Sequence, residues 1–289
     1  MELQNRLRRL PVTARRQTGW YMRLMTAPRR ALPDFLIIGA QKSGTSSLYN
    51  HLLEHPLIAA PLRKEVHYFD HNHFRGEKWY RAHFTLASRL EGTSRTGNRL
   101  VTGEASPSYL FHPLAAERTA GLLPGAKLIV LLRNPISRAY SHYQHKVTAQ
   151  REKLPFVEAL ALEEARIQRE REKLLRNQKY DAKALFDYSY LTRGIYADQL
   201  QLWYDHFPRE QMLVLRAEDF FANTPATVQQ VVCFLGLQQS DWAPQKLEAS
   251  NVGSYHQPMD SEVRAQLAEY YAPHNDRLYR LVGRDFGWT

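Results

Sequence analysis

The 289-residue chain is predicted to fold as one α/β domain, a central parallel sheet flanked by helices, and three observations support this. Five short apolar runs are bounded by Gly, Pro, Asn or charged residues: DFLIIGA at 34–40, LIAA at 57–60, RLVTGEA at 99–105, KLIVLLRNP at 127–135 and QMLVLRAED at 211–219. Segments of helical periodicity lie between them. The composition, 44% hydrophobic and 24% charged, belongs to a chain that can bury a core. Strands alternating with helices imply a parallel sheet covered on both faces. Ligands of such sheets gather beyond the carboxyl ends of the strands, so the residues that follow each strand are the first candidates for a site.

Along the chain, residues 1–30 carry eight Arg against one acid, Glu2, which places +7 of the net charge of +10 in a short basic arm. A folded basic face for nucleic acid is therefore not expected, and peripheral membrane contact remains a role for the arm alone. The first strand run leads to a helix over Thr45–His55, and further helices are expected over His112–Leu122, Ile136–Gln150 and Gly194–His206. Between Leu154 and Arg176, alternating charge surrounds a thin stripe of Val157, Leu160, Ile167 and Leu174, the pattern of an exposed helix. A last amphipathic helix spans Ser261–Leu281 and is interrupted by Pro273. No apolar run approaches the roughly 20 residues of a membrane span. The single cysteine, Cys233, lies in the apolar stretch VVCFLGL and is read as a buried thiol, which suits a reducing compartment and gives a cytoplasmic expectation.

After the first strand comes Gly39-Ala40-Gln41-Lys42-Ser43-Gly44-Thr45-Ser46-Ser47, followed at once by a helical run. A glycine turn that opens a helix presents backbone N–H groups at the positive end of the helix dipole and makes an anion cradle. The glycines have P-loop spacing, but Lys42 precedes the second glycine by two residues, where a Walker A lysine follows it directly. The fourth run ends in Arg133, at a position where a P-loop nucleotidase usually holds magnesium with an Asp. Arg133 suits a second phosphate, and Ser141, eight residues on, lies two turns along the helix that Pro135 opens. The pattern fits a nucleotide with phosphates at two separate places better than it fits ATP.

These residues resemble the sulfotransferases that use 3′-phosphoadenosine 5′-phosphosulfate (PAPS), through QKSGTSS at 41–47 and RNPISRAYS at 133–141. The heparan sulfate type of glycan sulfotransferase is the nearest in pattern, through KEVHYFD at 64–70, GEASPSYLF at 103–111, RGIYADQL at 193–200 and LVGRDFGW at 281–288. The resemblance covers about residues 34–289. It implies a P-loop-like sulfotransferase domain over 31–289 behind the basic arm at 1–30, with 3′,5′-diphosphoadenosine (PAP) as the nucleotide product. It also implies that Lys42, Ser43, Gly44, Thr45, Ser46 and Ser47 hold the 5′-phosphosulfate and that Arg133 and Ser141 hold the 3′-phosphate. Lys42 is then assigned to the leaving phosphate and Glu104, after the third strand, to the general base. Tyr196 is expected near the adenine or in the core, Ser254 or Tyr255 in the last cofactor loop, and Lys64 and His67 on the acceptor side, with His67 competing for the role of base.

The acceptor is expected to be a hydroxyl, less readily an amine, on a sugar-containing or small molecule. No metal is expected, because His71, His73 and His83 lack a compact ligand set. Two other readings remain open from the residues: a nucleotide-kinase-like phosphotransferase, and a non-catalytic nucleotide or nucleic-acid binder.

Overall fold

A computed structural model describes residues 12–91, 99–237 and 258–288. All five predicted strands form: β1 (Phe35–Gly39), β2 (Ile58–Ala59), β3 (Val101–Ala105), β4 (Lys127–Leu132) and β5 (Met212–Arg216). They make one sheet in the order β2-β3-β1-β4-β5, with every pairing parallel.

Successive strand side chains point to opposite faces, and both faces of this sheet are covered. In β1, Leu36 and Ile38 join a core with Leu128, Val130 and Leu132 of β4, whereas Phe35 and Ile37 join a second core with Ile129 and Leu131. All five β1 residues are buried, which is why the run is apolar throughout rather than alternating. Close packing also fixes a glycine: a Cβ at Gly103 would come within 2.5 Å of the Phe35 ring.

The chain leaves β1 for β2 and β3 on one side and returns to β4 on the other, so the crevice between these connections opens at the carboxyl end of β1. Two helices start there. Thr45–Leu53 follows the glycine turn, and Pro135–Thr148 follows β4, with Asn134 Oδ1 capping it by accepting from the N–H groups of Ile136 and Ser137 at 3.0 and 3.1 Å.

Several expectations need correction. The charged segment at 154–176 is two helices, Phe156–Ala161 and Glu163–Arg176, joined at Leu162. Ile167 and Leu174 of its apolar stripe are buried, but Val157 is exposed. Glu163 is buried because its carboxylate accepts from the N–H groups of Leu191 and Thr192 and from the Thr192 hydroxyl. The last helix, Ser261–Val282, runs unbroken through Pro273. Cys233 is exposed on the helix Thr224–Leu235, whose buried positions are Thr227, Val228, Val231 and Val232. A helix also forms over Val12–Met25, and the end of the basic stretch packs on the body. Arg23 NH2 and Arg30 NH1 each donate to the Phe84 carbonyl at 2.8 Å, and Trp20 packs edge-on to His83.

Candidate active site

A cavity of about 850 Å³ opens at the carboxyl end of the sheet. Its walls include Lys42, Gly44, Thr45, Ser46 and Ser47 of the glycine turn, together with Arg133 and Ser141. The sequence places these residues 86 or more positions apart; the parallel pairing of β1 with β4 makes them neighbours. Arg133 NH1 donates to the Lys42 carbonyl at 3.1 Å and so ties the two segments together.

The turn is built to receive an anion. Lys42 and Gly44 have φ of 70° and 94°, and a Cβ at Gly44 would meet the Phe221 ring at 2.9 Å, so residue 44 has to be glycine. No side chain among the described residues caps the helix Thr45–Leu53, which leaves its first-turn N–H groups for a ligand. Ser43 Oγ is buried without a partner among the described residues. Lys42 is held below the usual lysine range, first by burial and then by the charges of Arg133 and Lys146. Cations converging on one cavity in this way favour the binding of a polyanion. A nucleotide carrying two separate phosphate groups therefore fits the residues present.

Across the cavity lies the segment KEVHYFD. Lys64 Nζ donates to Ser46 Oγ and pairs with Glu65 Oε1 at 3.1 Å, so it ties this segment to the phosphate loop. Glu65 and His67 line the wall, and both have left-handed backbones, with φ of 57° and 55°. Non-glycine residues keep such conformations only where their surroundings enforce them. His67 Nδ1 donates to Asp70 Oδ2 at 2.8 Å, and its Nε2 lies 3.7 Å from Glu65 Oε2. Asp70 is buried and also accepts from Ser108 Oγ at 2.5 Å and the His71 N–H at 2.6 Å.

The charges in this chain of groups are fixed by their contacts. Burial alone would push His67 down, but its hydrogen bonds with Asp70 and Glu65 outweigh that and raise it to about 10. Glu65 is drawn down to about 2, chiefly by its hydrogen bond with His67. Burial would raise Asp70, yet His67 holds it below the usual carboxylate range. His67, Asp70 and His71 are also the one group among the described residues with ligand atoms close enough to hold a metal ion.

Two predicted site residues lie elsewhere. Glu104 was expected to face the acceptor, but it is completely buried and is not part of the cavity wall. Four donors enclose its carboxylate: Tyr80 OH at 2.8 Å, Ser106 Oγ at 2.8 Å, Tyr109 OH at 2.9 Å and the Val66 N–H at 3.1 Å. Burial raises its pKa against the pull of those donors. This cage anchors the start of KEVHYFD to β3. Glu104→Ala leaves its donors unpaired and should cost about 3 kcal/mol of stability, read as a lower denaturation midpoint. Tyr196 is likewise buried outside the cavity wall; its hydroxyl donates to the Arg133 carbonyl at 2.8 Å and its ring packs 5.9 Å from Trp288. It positions Arg133 and does not face the cavity. Ser254 and Tyr255 lie outside the described residues.

Sequence reasoning passed over Glu65, although it stands between Lys64 and His67 in a segment already singled out. The signal was chemical, a carboxylate flanked by two cations, but the rule that residues after a strand form the site drew attention to Glu104.

A phosphate turn after the first strand, a second cation after its neighbour and an ionised carboxylate opposite define a group-transfer protein that uses a multiply phosphorylated nucleotide. The chain belongs to the sulfotransferase domain family, which matches residues 32–262, and members of that family use PAPS. It is 31% identical over 298 residues to the mouse heparan sulfate glucosamine 3-O-sulfotransferase 3A1, spanning 95% of this chain and 69% of that protein. It is 28% identical to the membrane-associated sulfotransferase kil1 of Dictyostelium discoideum, over 89% of this chain and 66% of the relative. The crystal structure of a sulfotransferase from Alicyclobacillus acidocaldarius superimposes with a TM-score of 0.68 at 34% identity, covering 89% of this chain and 98% of the other. The chain thus spans about two thirds of the length of these curated relatives.

Family membership bears out the expected fold and class and decides against the kinase-like phosphotransferase and the non-catalytic binder. It also corrects the cytoplasmic expectation, since a relative matched over most of the chain is membrane-associated. One exposed cysteine does not indicate a compartment. No helix among the described residues is long and apolar enough to cross a membrane.

Proposed function

We propose that this protein transfers the sulfuryl group of PAPS to a hydroxyl of a carbohydrate acceptor, with Glu65 as the general base. The observation that supports this most strongly is one cavity with two chemically opposite walls: Lys42, Arg133 and an uncapped helix start on one side, and the ionised pair Glu65–His67 on the other. The glycan sulfotransferases among its relatives support the choice of a sugar hydroxyl.

The donor supplies an activated sulfuryl group on a phosphate leaving group. The 42–47 turn is assigned to its 5′ end, and Arg133 with Ser141 to its 3′-phosphate. Lys42 stabilises charge that grows on the leaving oxygen, an interaction that strengthens toward the transition state. Glu65 receives the acceptor proton. His67, raised to about 10, is already protonated near neutral pH and cannot take it, whereas Glu65 is ionised. The hydroxyl becomes strongly acidic as its oxygen bonds to sulfur, so even a carboxylate of low pKa can accept the proton. Asp70 holds the His67 ring, and His67 holds the Glu65 carboxylate. Lys64 links that carboxylate to Ser46 and so couples the two walls.

Transfer of 35S from labelled PAPS to heparan sulfate oligosaccharides tests the proposal. Label in the oligosaccharide together with equimolar PAP is expected. Donor hydrolysis without labelled sugar, or no PAP at all, contradicts it.

The charge pair also fixes a pH dependence. The raised value of His67 means that its contribution to stability is complete below its ordinary 6.5 and is lost as pH rises through about 10. The depressed value of Glu65 contributes above its ordinary 4.5 and is lost as pH falls through about 2. Imidazole NMR should therefore find His67 protonated at pH 8, and a midpoint at its ordinary value would refute the pairing.

A further inference from the structure

We propose that Arg193 binds a carboxylate carried by the acceptor, making it the residue that selects acidic sugars; this rests on the sulfotransferase reading above. Arg193 is 1% exposed and lines the cavity. NH1 donates to Gln41 Oε1. Nε and NH2, which form the side-on edge of the guanidinium, are buried without a partner among the described residues. That edge carries two parallel N–H groups in the geometry that pairs with both oxygens of one carboxylate. A buried cation with its bidentate edge unfilled is costly unless an anion completes it.

The side chain is held in place before any ligand arrives. Its guanidinium carbon lies 4.6 Å from the Phe111 ring centre and 5.5 Å from that of Phe186. Gly194 next to it lets Tyr271 approach, since a Cβ there would meet the Tyr271 hydroxyl at 2.6 Å, and that hydroxyl donates to the Leu191 carbonyl at 2.9 Å. A fixed guanidinium loses little freedom on binding, which favours affinity and selectivity.

The nearby charges leave Arg193 available. Arg138 and Lys146 add positive charge, and His142 beside them is buried and held neutral by burial and by these cations. Of the carboxylates that act on Arg193, Asp187 is bonded to Lys146, Glu163 to the backbone at 191–192, and Asp70 to His67. None of them fills the free edge.

The position favours the acceptor over the nucleotide. Phe186, one of the two rings under Arg193, packs edge-on to His71 at 4.8 Å, and His71 adjoins the Asp70–His67 pair. Arg193 therefore reaches the proton-accepting side of the cavity as well as the glycine turn that it touches through Gln41, and the two phosphate positions of the nucleotide already have their cations in Lys42 and Arg133. An acceptor carboxylate held there would anchor the sugar so that a neighbouring hydroxyl faces Glu65.

The test compares heparosan oligosaccharides, whose glucuronate carboxylates are intact, with the same oligosaccharides reduced to the alcohol. Calorimetry measures their binding to the PAP-saturated enzyme, so that turnover is not needed. The wild type should bind the intact form at least tenfold more tightly. Arg193→Gln should bind both forms equally, with PAP affinity within about twofold of wild type, and Arg193→Lys should keep part of the preference. Equal binding by the wild type, no binding of either form, an undiminished preference in Arg193→Gln, or loss of PAP affinity in that variant would each overturn the assignment. Failure of the wild type to bind PAP at all would instead count against the sulfotransferase reading beneath it.

Discussion

Glu65→Gln will retain PAP affinity and lose about 10²- to 10⁴-fold in turnover, the usual contribution of a positioned general base. The change removes the charge but keeps the shape of the side chain. Two structural facts single out this carboxylate: it lines the cavity, and it is bound to Lys64, which bonds to the phosphate loop. Glu104→Gln supplies the contrast. It replaces one oxygen of a sealed cage that accepts four hydrogen bonds, so the expected damage is to stability, with turnover per folded molecule close to wild type. Steady-state rates normalised to the PAP-binding fraction separate the two. Near-normal turnover in Glu65→Gln, with turnover lost in a stably folded Glu104→Gln, would return the base to the end of β3.

Lys42→Ala will lower turnover about 10²- to 10³-fold at saturating donor, because its charge acts on an oxygen that becomes more negative as the reaction proceeds. Arg133→Ala will mostly raise the donor KM, by about 10- to 100-fold, the loss of one charge-assisted hydrogen bond to a remote phosphate. Turnover should also fall modestly in Arg133→Ala, since Arg133 supports the Lys42 carbonyl at 3.1 Å. Donor-saturation curves for both variants are the measurement. Roles are reversed if Lys42→Ala changes only KM and Arg133→Ala changes only turnover.

The sheet could be read from sequence because each strand is buried on both sides, which forces unbroken apolar runs such as FLIIG and KLIVLL. The phosphate wall could be read because its pattern is local: a glycine with positive φ, a lysine and a helix start occupy seven consecutive residues. The other wall was harder to read, because orientation decides it. Glu104 and Glu65 both lie near strand ends, but Tyr80 and Tyr109, from distant parts of the chain, fold over Glu104 and enclose it. His67 looks like an ordinary histidine until Asp70 and Glu65 are placed on its two nitrogens. Arg193 opens the RGIYADQL motif, but nothing in the sequence gives it a role, and its unfilled edge becomes visible only when Phe111, Phe186 and Gln41 surround it. Strand pattern shows which residues meet at a sheet edge; it does not show which of them face the cavity.

A crystal structure with PAP bound tests the two-walled site most directly. The account predicts the 5′-phosphate against the 42–47 turn with Lys42 in contact, the 3′-phosphate on Arg133 and Ser141, and the Glu65 carboxylate facing the 5′-phosphate across open space. A nucleotide bound elsewhere, either phosphate away from its assigned cations, or Glu104 rather than Glu65 facing the 5′-phosphate would contradict it.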